Sequence, residues 1–210
     1  MFEIRLHELH DVVDHTLIVE SRQTFRGKPK QLAYPRMLSS LPGAVTSKIH
    51  YTVLDQLEGN GAWEKESFQR NSMLHIALNR SGILPHPDDI FIISDLDEIP
   101  KPDFIRAMKL CSGISYPATL VSNFHYYAFN VLKGEQWEKG PRAMLASQKA
   151  DISPQKLRME TPVTQYQNAS WHCRCALRVG AYADKGSAGL VLLVWLSGIW
   201  AGAASVSGSA

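Results

Sequence analysis

At 210 residues the chain is long enough for one α/β domain with a sizeable core and too short for two. Its 22 basic and 20 acidic residues nearly balance, so charge argues against a nucleic-acid surface or an anionic membrane patch, and a partner has to be read from sites. Cys111, Cys173 and Cys175 are too few to frame a mini-protein and leave room for one bridge and one free thiol.

Phe2 to Asp14 carries charges every few residues, which does not read as a signal peptide. Within it, Glu3 to Leu9 predicts a short helix with Ile4, Leu6 and Leu9 available for burial. The β-branched run Val12 to Val19 predicts a strand ending at Glu20-Ser21. Ser21 to Pro29 then forms a polar loop, at the place where open α/β sheets put ligand-binding turns. Prolines and glycines punctuate residues 35 to 63, with a short strand expected over Ile49 to Leu54. Glu64 to Arg80 turns helical: Leu74, Ala77 and Leu78 share a stripe and Gly82 follows as a cap. Arg70 lies on that stripe one turn earlier, either aimed above the sheet or paired with Glu66 four residues before it.

Ile90 to Ile93 are four consecutive apolar residues bounded by acidic turns, the pattern of a strand buried on both faces. A helix should start at Pro102, with Phe104, Ile105 and Met108 on one face. Ala118 to Val121 predicts another strand, and Phe124 to Val131 an aromatic extended segment. Ser187 to Ala210 has no charged residue and reaches the ~20 residues that span a bilayer. Its many Gly, Ala and Ser residues and the lack of a basic flank favour a buried tail over an anchor. Alternating strand and helix patterns together predict an α/β domain: a Rossmann-type, mostly parallel sheet flanked by helices.

The chemistry concentrates at Ser94-Asp95-Leu96-Asp97-Glu98. Residues two apart on an extended chain point the same way, so Asp95 and Asp97 can present both carboxylates beyond the strand end. Their mutual repulsion is relieved by a divalent cation, and hard oxygen ligands select Mg²⁺ or Mn²⁺ with positions left open for diphosphate oxygens. Such an ion neutralises charge on a departing nucleoside diphosphate. Two other readings compete: acids that decorate a turn and cap the next helix, and a phosphotransferase of the haloacid-dehalogenase type. The second fits poorly, since Ile99 stands where that motif has a threonine or similar residue and the strand lies in mid-sequence.

Glu3-Ile4-Arg5-Leu6, Val19-Glu20-Ser21, Thr24 to Lys30, Glu66 to Asn71, Asp89 to Pro100 and Trp171-His172-Cys173 occur in an order that resembles glycosyltransferase family 17, the β-1,4-mannosyl-glycoprotein 4-β-N-acetylglucosaminyltransferases. The resemblance implies a GT-A fold, a UDP-N-acetylglucosamine donor, Mn²⁺ or Mg²⁺, and inverting transfer to the β-mannose of an N-glycan core. It further implies that Asp95 and Asp97 ligate the metal, with Asp95 also bridging to the donor. By the same matching, Glu20, Ser21 and Lys28 face the nucleotide, and Arg70 and Asn71 support the donor side. Inversion needs a general base, for which Glu98, His125 and His172 are the candidates; Glu98 and His172 are carried forward as the catalytic pair. Residues 1–175 are then the catalytic domain, without the family's first strand and C-terminal elements, and 176–210 a divergent apolar tail. A Golgi lumenal, membrane-associated setting is implied, which the sequons at Asn79 and Asn168 suit. The alternative is a truncated, non-catalytic relative that binds nucleotide-sugar or glycan, or pairs with a full-length enzyme.

Overall fold

The computed structural model describes residues 1–126, 129–159 and 164–173 and the backbone of the strand 191–196. Nine strands form a single sheet: β1 (His15–Ser21), β2 (Ile49–Leu54), β3 (Ile90–Asp95), β4 (Glu98–Pro100), β5 (Ala118–His125), β6 (Leu132–Trp137), β7 (Arg142–Leu145), β8 (Thr164–Cys173) and β9 (Val191–Leu196). Their order is β2-β1-β9-β3-β7-β5-β8-β4, with β6 paired to β5 off this path.

Both faces of the sheet are covered, and β3 shows why its apolar run is unbroken. Phe91 and Ile93 pack with Leu17, Val19, Met73, Leu74, Ala77 and Leu78. Ile90 and Ile92 pack instead with Leu9, Val13, Ile105, Met108 and Leu120. The first layer is supplied by α4 (Ala62–Ser72) and the π-helical turn Met73–Leu78 that continues it. In chain order the other helices are α1 (Phe2–Leu9), α2 (Tyr34–Leu38), α3 (Gly43–Thr46), α5 (Asn79–Ser81), α6 (Pro102–Leu110) and α7 (Pro154–Met159). Glu64 starts α4 by accepting the Asn60 and Gly61 amides at 2.6 and 3.4 Å, and Gly82 closes α5 at φ 71, a left-handed position that glycine adopts without a side-chain clash.

The expectation of a mostly parallel sheet is corrected. Among the described strands only β1–β2 and β5–β8 pair in parallel; the other six pairings are antiparallel. By these registers β1, β2, β3, β5 and β8 still run in one direction, so their C-terminal ends share one edge of the sheet. β9 and β7 run oppositely and are interleaved among them. An apolar run buried on both faces looks the same whichever way its neighbours point, which is why sequence did not reveal this. The stretch from Phe124 is also not continuously extended: β5 ends at His125 and the chain turns at Phe129–Asn130 before β6. Val191–Leu196, inside the apolar tail, pairs with both β1 and β3. Among the described residues no helix is long and apolar enough to cross a membrane.

Candidate active site

The common edge of β1, β3, β5 and β8 gathers the acids. β3 ends at Asp95, a turn carries Leu96 and Asp97, and Glu98 opens β4, where it lies opposite His172 of β8. A tight turn with two carboxylates has to be held in place, and the Arg5 guanidinium does so. It donates to Ser94 Oγ at 2.6 Å, to the Asp95 carbonyl at 3.2 Å and to the Glu98 carbonyl. Arg5 sits on the apolar stripe of α1 between Phe2 and Leu9 and is 1% exposed, and burial lowers its guanidinium to about 10. A charge so deep persists only because every bond it makes is to the site turn.

Glu98 is wholly buried and clasped by Arg158 of α7, whose Nη1 and Nη2 donate to Oε2 and Oε1 at 2.8 and 2.5 Å. Glu98 also accepts the Asp95 amide at 3.2 Å and Trp137 Nε1 at 3.3 Å. Burial pushes the Glu98 carboxyl above its ordinary range, with Arg158 opposing; burial lowers Arg158 in turn, but Glu98, Asp95 and Asp97 together overcome it and hold the guanidinium above its ordinary value. Arg158 further donates to Asp95 Oδ2 at 3.2 Å and to the Gly140 carbonyl at 2.7 Å.

Arg70 satisfies both sequence readings: Nη2 lies 2.7 Å from Glu66 Oε1 and 3.5 Å from Asp95 Oδ1. It also donates to Gln155 Oε1, while Asn71 Oδ1 accepts the Gln155 amide at 2.9 Å. Arg70 and Asn71 therefore dock the start of α7, and this docking delivers Arg158 to Asp95 and Glu98. Neither Arg5 nor Arg158 was singled out for the site from the sequence. The available signal was an arginine on an otherwise apolar helical stripe, clearest for Arg5.

His172 stacks on Phe124, with ring centroids 4.4 Å apart and planes 20° from parallel. Its Nε2 is 3.6 Å from Asp97 Oδ2 and its Nδ1 3.7 Å from Glu98 Oε1. The structure thus brings Asp95, Asp97, Glu98, His172 and Arg70 close together. His125 packs against Phe129 at 5.8 Å, and neither of its ring nitrogens has a hydrogen-bond partner among the described residues.

The β1 loop differs from expectation. Glu20 is wholly buried; Oε1 accepts Lys30 Nζ at 2.7 Å and the Ala33 amide at 2.6 Å, and Oε2 accepts the Tyr34 amide at 3.1 Å and Tyr51 hydroxyl at 2.8 Å. With both oxygens engaged by the chain's own donors, Glu20 fastens the loop to α2 and β2 instead of facing a nucleotide. Ser21 is also buried, its Oγ accepting the Gln23 amide at 3.0 Å. Lys28 is exposed on a turn closed by Thr24, whose Oγ1 accepts the Lys28 amide at 3.1 Å.

A divalent cation suits the two acids that remain accessible. The side chains of Asp95 and Asp97 are 40% and 36% exposed, and burial followed by the Asp95 charge holds the Asp97 carboxyl above its ordinary range. A cation beside Asp97 would favour its charged form against that burial. Among the described residues no group of three or more His, Cys, Asp or Glu is arranged to hold a metal. Phosphate and water oxygens would have to complete the shell, as hard cations commonly require.

The site is thus a pair of carboxylates at the end of a buried strand of an α/β sheet, set among three arginines. The pattern of Glycosyltransferase family 17 matches residues 1–185, and the chain belongs to that family. The β-1,4-mannosyl-glycoprotein 4-β-N-acetylglucosaminyltransferase of Homo sapiens is 32% identical over 133 residues, covering 61% of this chain and 25% of its own length. Those of Rattus norvegicus and Mus musculus show the same identity over the same span, 24% of their lengths. The chain therefore spans about a quarter of the length of the curated relatives it matches. No solved structure matches it.

Proposed function

We propose that this chain carries the donor site of an N-acetylglucosaminyltransferase of the GT-A type, which moves N-acetylglucosamine from UDP-N-acetylglucosamine to the β-mannose of an N-glycan core with inversion. The observation that carries the reading is the Asp95/Asp97 pair, accessible at the end of a buried strand and fixed by Arg5, Arg70 and Arg158. Asp95 and Asp97 would hold Mn²⁺ or Mg²⁺, which when bound supplies Lewis-acid stabilisation to the departing diphosphate. In the transfer, the acceptor hydroxyl oxygen bonds to the anomeric carbon as the bond to the diphosphate oxygen breaks, and the hydroxyl proton passes to a base. Glu98 is poorly placed for that base, since both its oxygens are engaged by Arg158. His172, whose Nε2 lies 3.6 Å from Asp97 Oδ2, is the better candidate. By the same family reading the setting is the lumenal side of the Golgi membrane.

The test is calorimetric titration of UDP with and without Mn²⁺. Binding should require the ion, and Asp97→Ala should abolish the Mn²⁺-dependent binding; equal binding without Mn²⁺ defeats the metal assignment. Transfer to a core N-glycan then separates an active enzyme from a relative that binds the donor only.

A further inference from the structure

We infer that the partly exposed rings beside the acids, Trp137 above all, form the platform on which the acceptor sugar stacks. The inference rests on the glycosyltransferase reading and extends it to residues. A pyranose presents an apolar C–H face and a rim of hydroxyls, so its natural complement is an aromatic ring held rigidly near hydrogen-bonding groups.

Trp137 meets both conditions. Its Nε1 donates to Glu98 Oε1 at 3.3 Å, which ties the indole to the residue next to Asp97. Its ring meets His172 edge-on at 5.2 Å and 71° and lies 5.6 Å from Phe124. Phe124 and His172 are almost fully enclosed, at 3% and 8% exposure, and serve as backing; Trp137 and Tyr126 keep open surface, with Tyr126 4.8 Å from Phe124. Strand alternation places Lys133 with Trp137, and its ammonium sits 5.7 Å over the Phe124 ring, a polar group at the rim. The exposed Leu132 falls on the opposite face by the same alternation.

Position in the sheet assigns this wall to the acceptor. Asp95 ends β3; the β1 loop lies on one side of it in the strand order, and β5, which carries β6, on the other. The donor reading uses the arginines around Asp95, so the rings beside Asp97 and Glu98 remain for the second substrate. β6 pairs with β5 alone among the described strands, which leaves the outer edge of the platform open.

The experiment measures two affinities on the full chain: UDP with Mn²⁺, and a biantennary core N-glycan in the presence of UDP and Mn²⁺, the latter by saturation-transfer NMR. Trp137→Ala should weaken the glycan about tenfold or more, the scale of a buried aromatic contact, while UDP affinity stays within about twofold. Trp137→Phe, which keeps a ring but loses the bond to Glu98, should fall between. Tyr126→Ala is the second variant should Trp137→Ala unfold, and it should likewise weaken the glycan alone. Unchanged glycan affinity in these variants, or a parallel loss of UDP affinity, overturns the assignment. A wild-type chain that binds UDP with Mn²⁺ but no glycan overturns it while sparing the donor reading; one that binds neither overturns both.

Discussion

Arg158 and Glu98, sixty residues apart in the chain, meet through two parallel hydrogen bonds in the interior of the site, with the glutamate wholly buried. Removing either partner strands the other's charge away from water. Glu98→Ala and Arg158→Ala should each cost about 3 to 5 kcal/mol of unfolding free energy. The double variant Glu98→Leu/Arg158→Met should cost much less than the sum, as urea denaturation of all variants would reveal. Additive losses would mean the two do not act as a unit.

Asp97 gives a prediction of opposite sign. Its carboxyl is held above the ordinary 3.8 by burial and by Asp95, so the charged form is disfavoured in the folded state. That penalty is complete at neutral pH and disappears as pH falls through the raised value toward 3.8. Asp97→Asn should therefore raise the melting temperature of metal-free protein at neutral pH, with the gain fading on acidification. The same variant should lose the stabilisation that Mn²⁺ gives the wild type, a second readout in the same thermal scans.

How far the sequence went follows from which interactions are local. β2 was expected over Ile49 to Leu54 and lies there, because its apolar pattern and flanking turns are local signals. The acids after Ile90–Ile93 were legible for the same reason. Arg5 reaches Glu98 across ninety-three positions and Arg158 reaches it across sixty, and no periodicity reports a charge pair at such range. Glu20 was assigned to the nucleotide side by resemblance alone, and no sequence pattern reports that its two oxygens take four donors of the chain itself.

At the far edge of the sheet, His15 Nδ1 and His50 Nε2 are 3.2 Å apart. Both imidazoles are lowered from 6.5: His15 by burial and Lys48 against Asp14 and Asp89, His50 by burial and His15. A lowered histidine stabilises the fold fully above 6.5, and this is lost as pH falls through 6.5 toward the lowered values. Unfolding free energy should thus decline as pH falls through 6.5. His50→Gln should flatten that slope; an unchanged slope in denaturant titrations would remove the pair from the account.

Gly140 lies just before β7, tight against Leu120 and Ser122 of β5. A Cβ there would overlap the Leu120 carbonyl and lie 2.6 Å from Ser122 Oγ, while the Gly140 carbonyl accepts Arg158. Gly140→Ala should cost about 1 to 3 kcal/mol by overpacking. It should also weaken Mn²⁺-dependent UDP binding through displacement of Arg158, so calorimetry and denaturation should move together.

The placement of β9 bears on how the molecule is made. The strands that deliver Ser21 and Asp95 are stitched together by a segment translated almost a hundred residues after the later of them. Until Val191–Leu196 leaves the ribosome, the nascent chain carries two partial sheets with raw facing edges, each able to recruit a stranger. A chain stopped ahead of Val191 should therefore leave the two halves of the sheet unjoined, a difference that limited proteolysis would register.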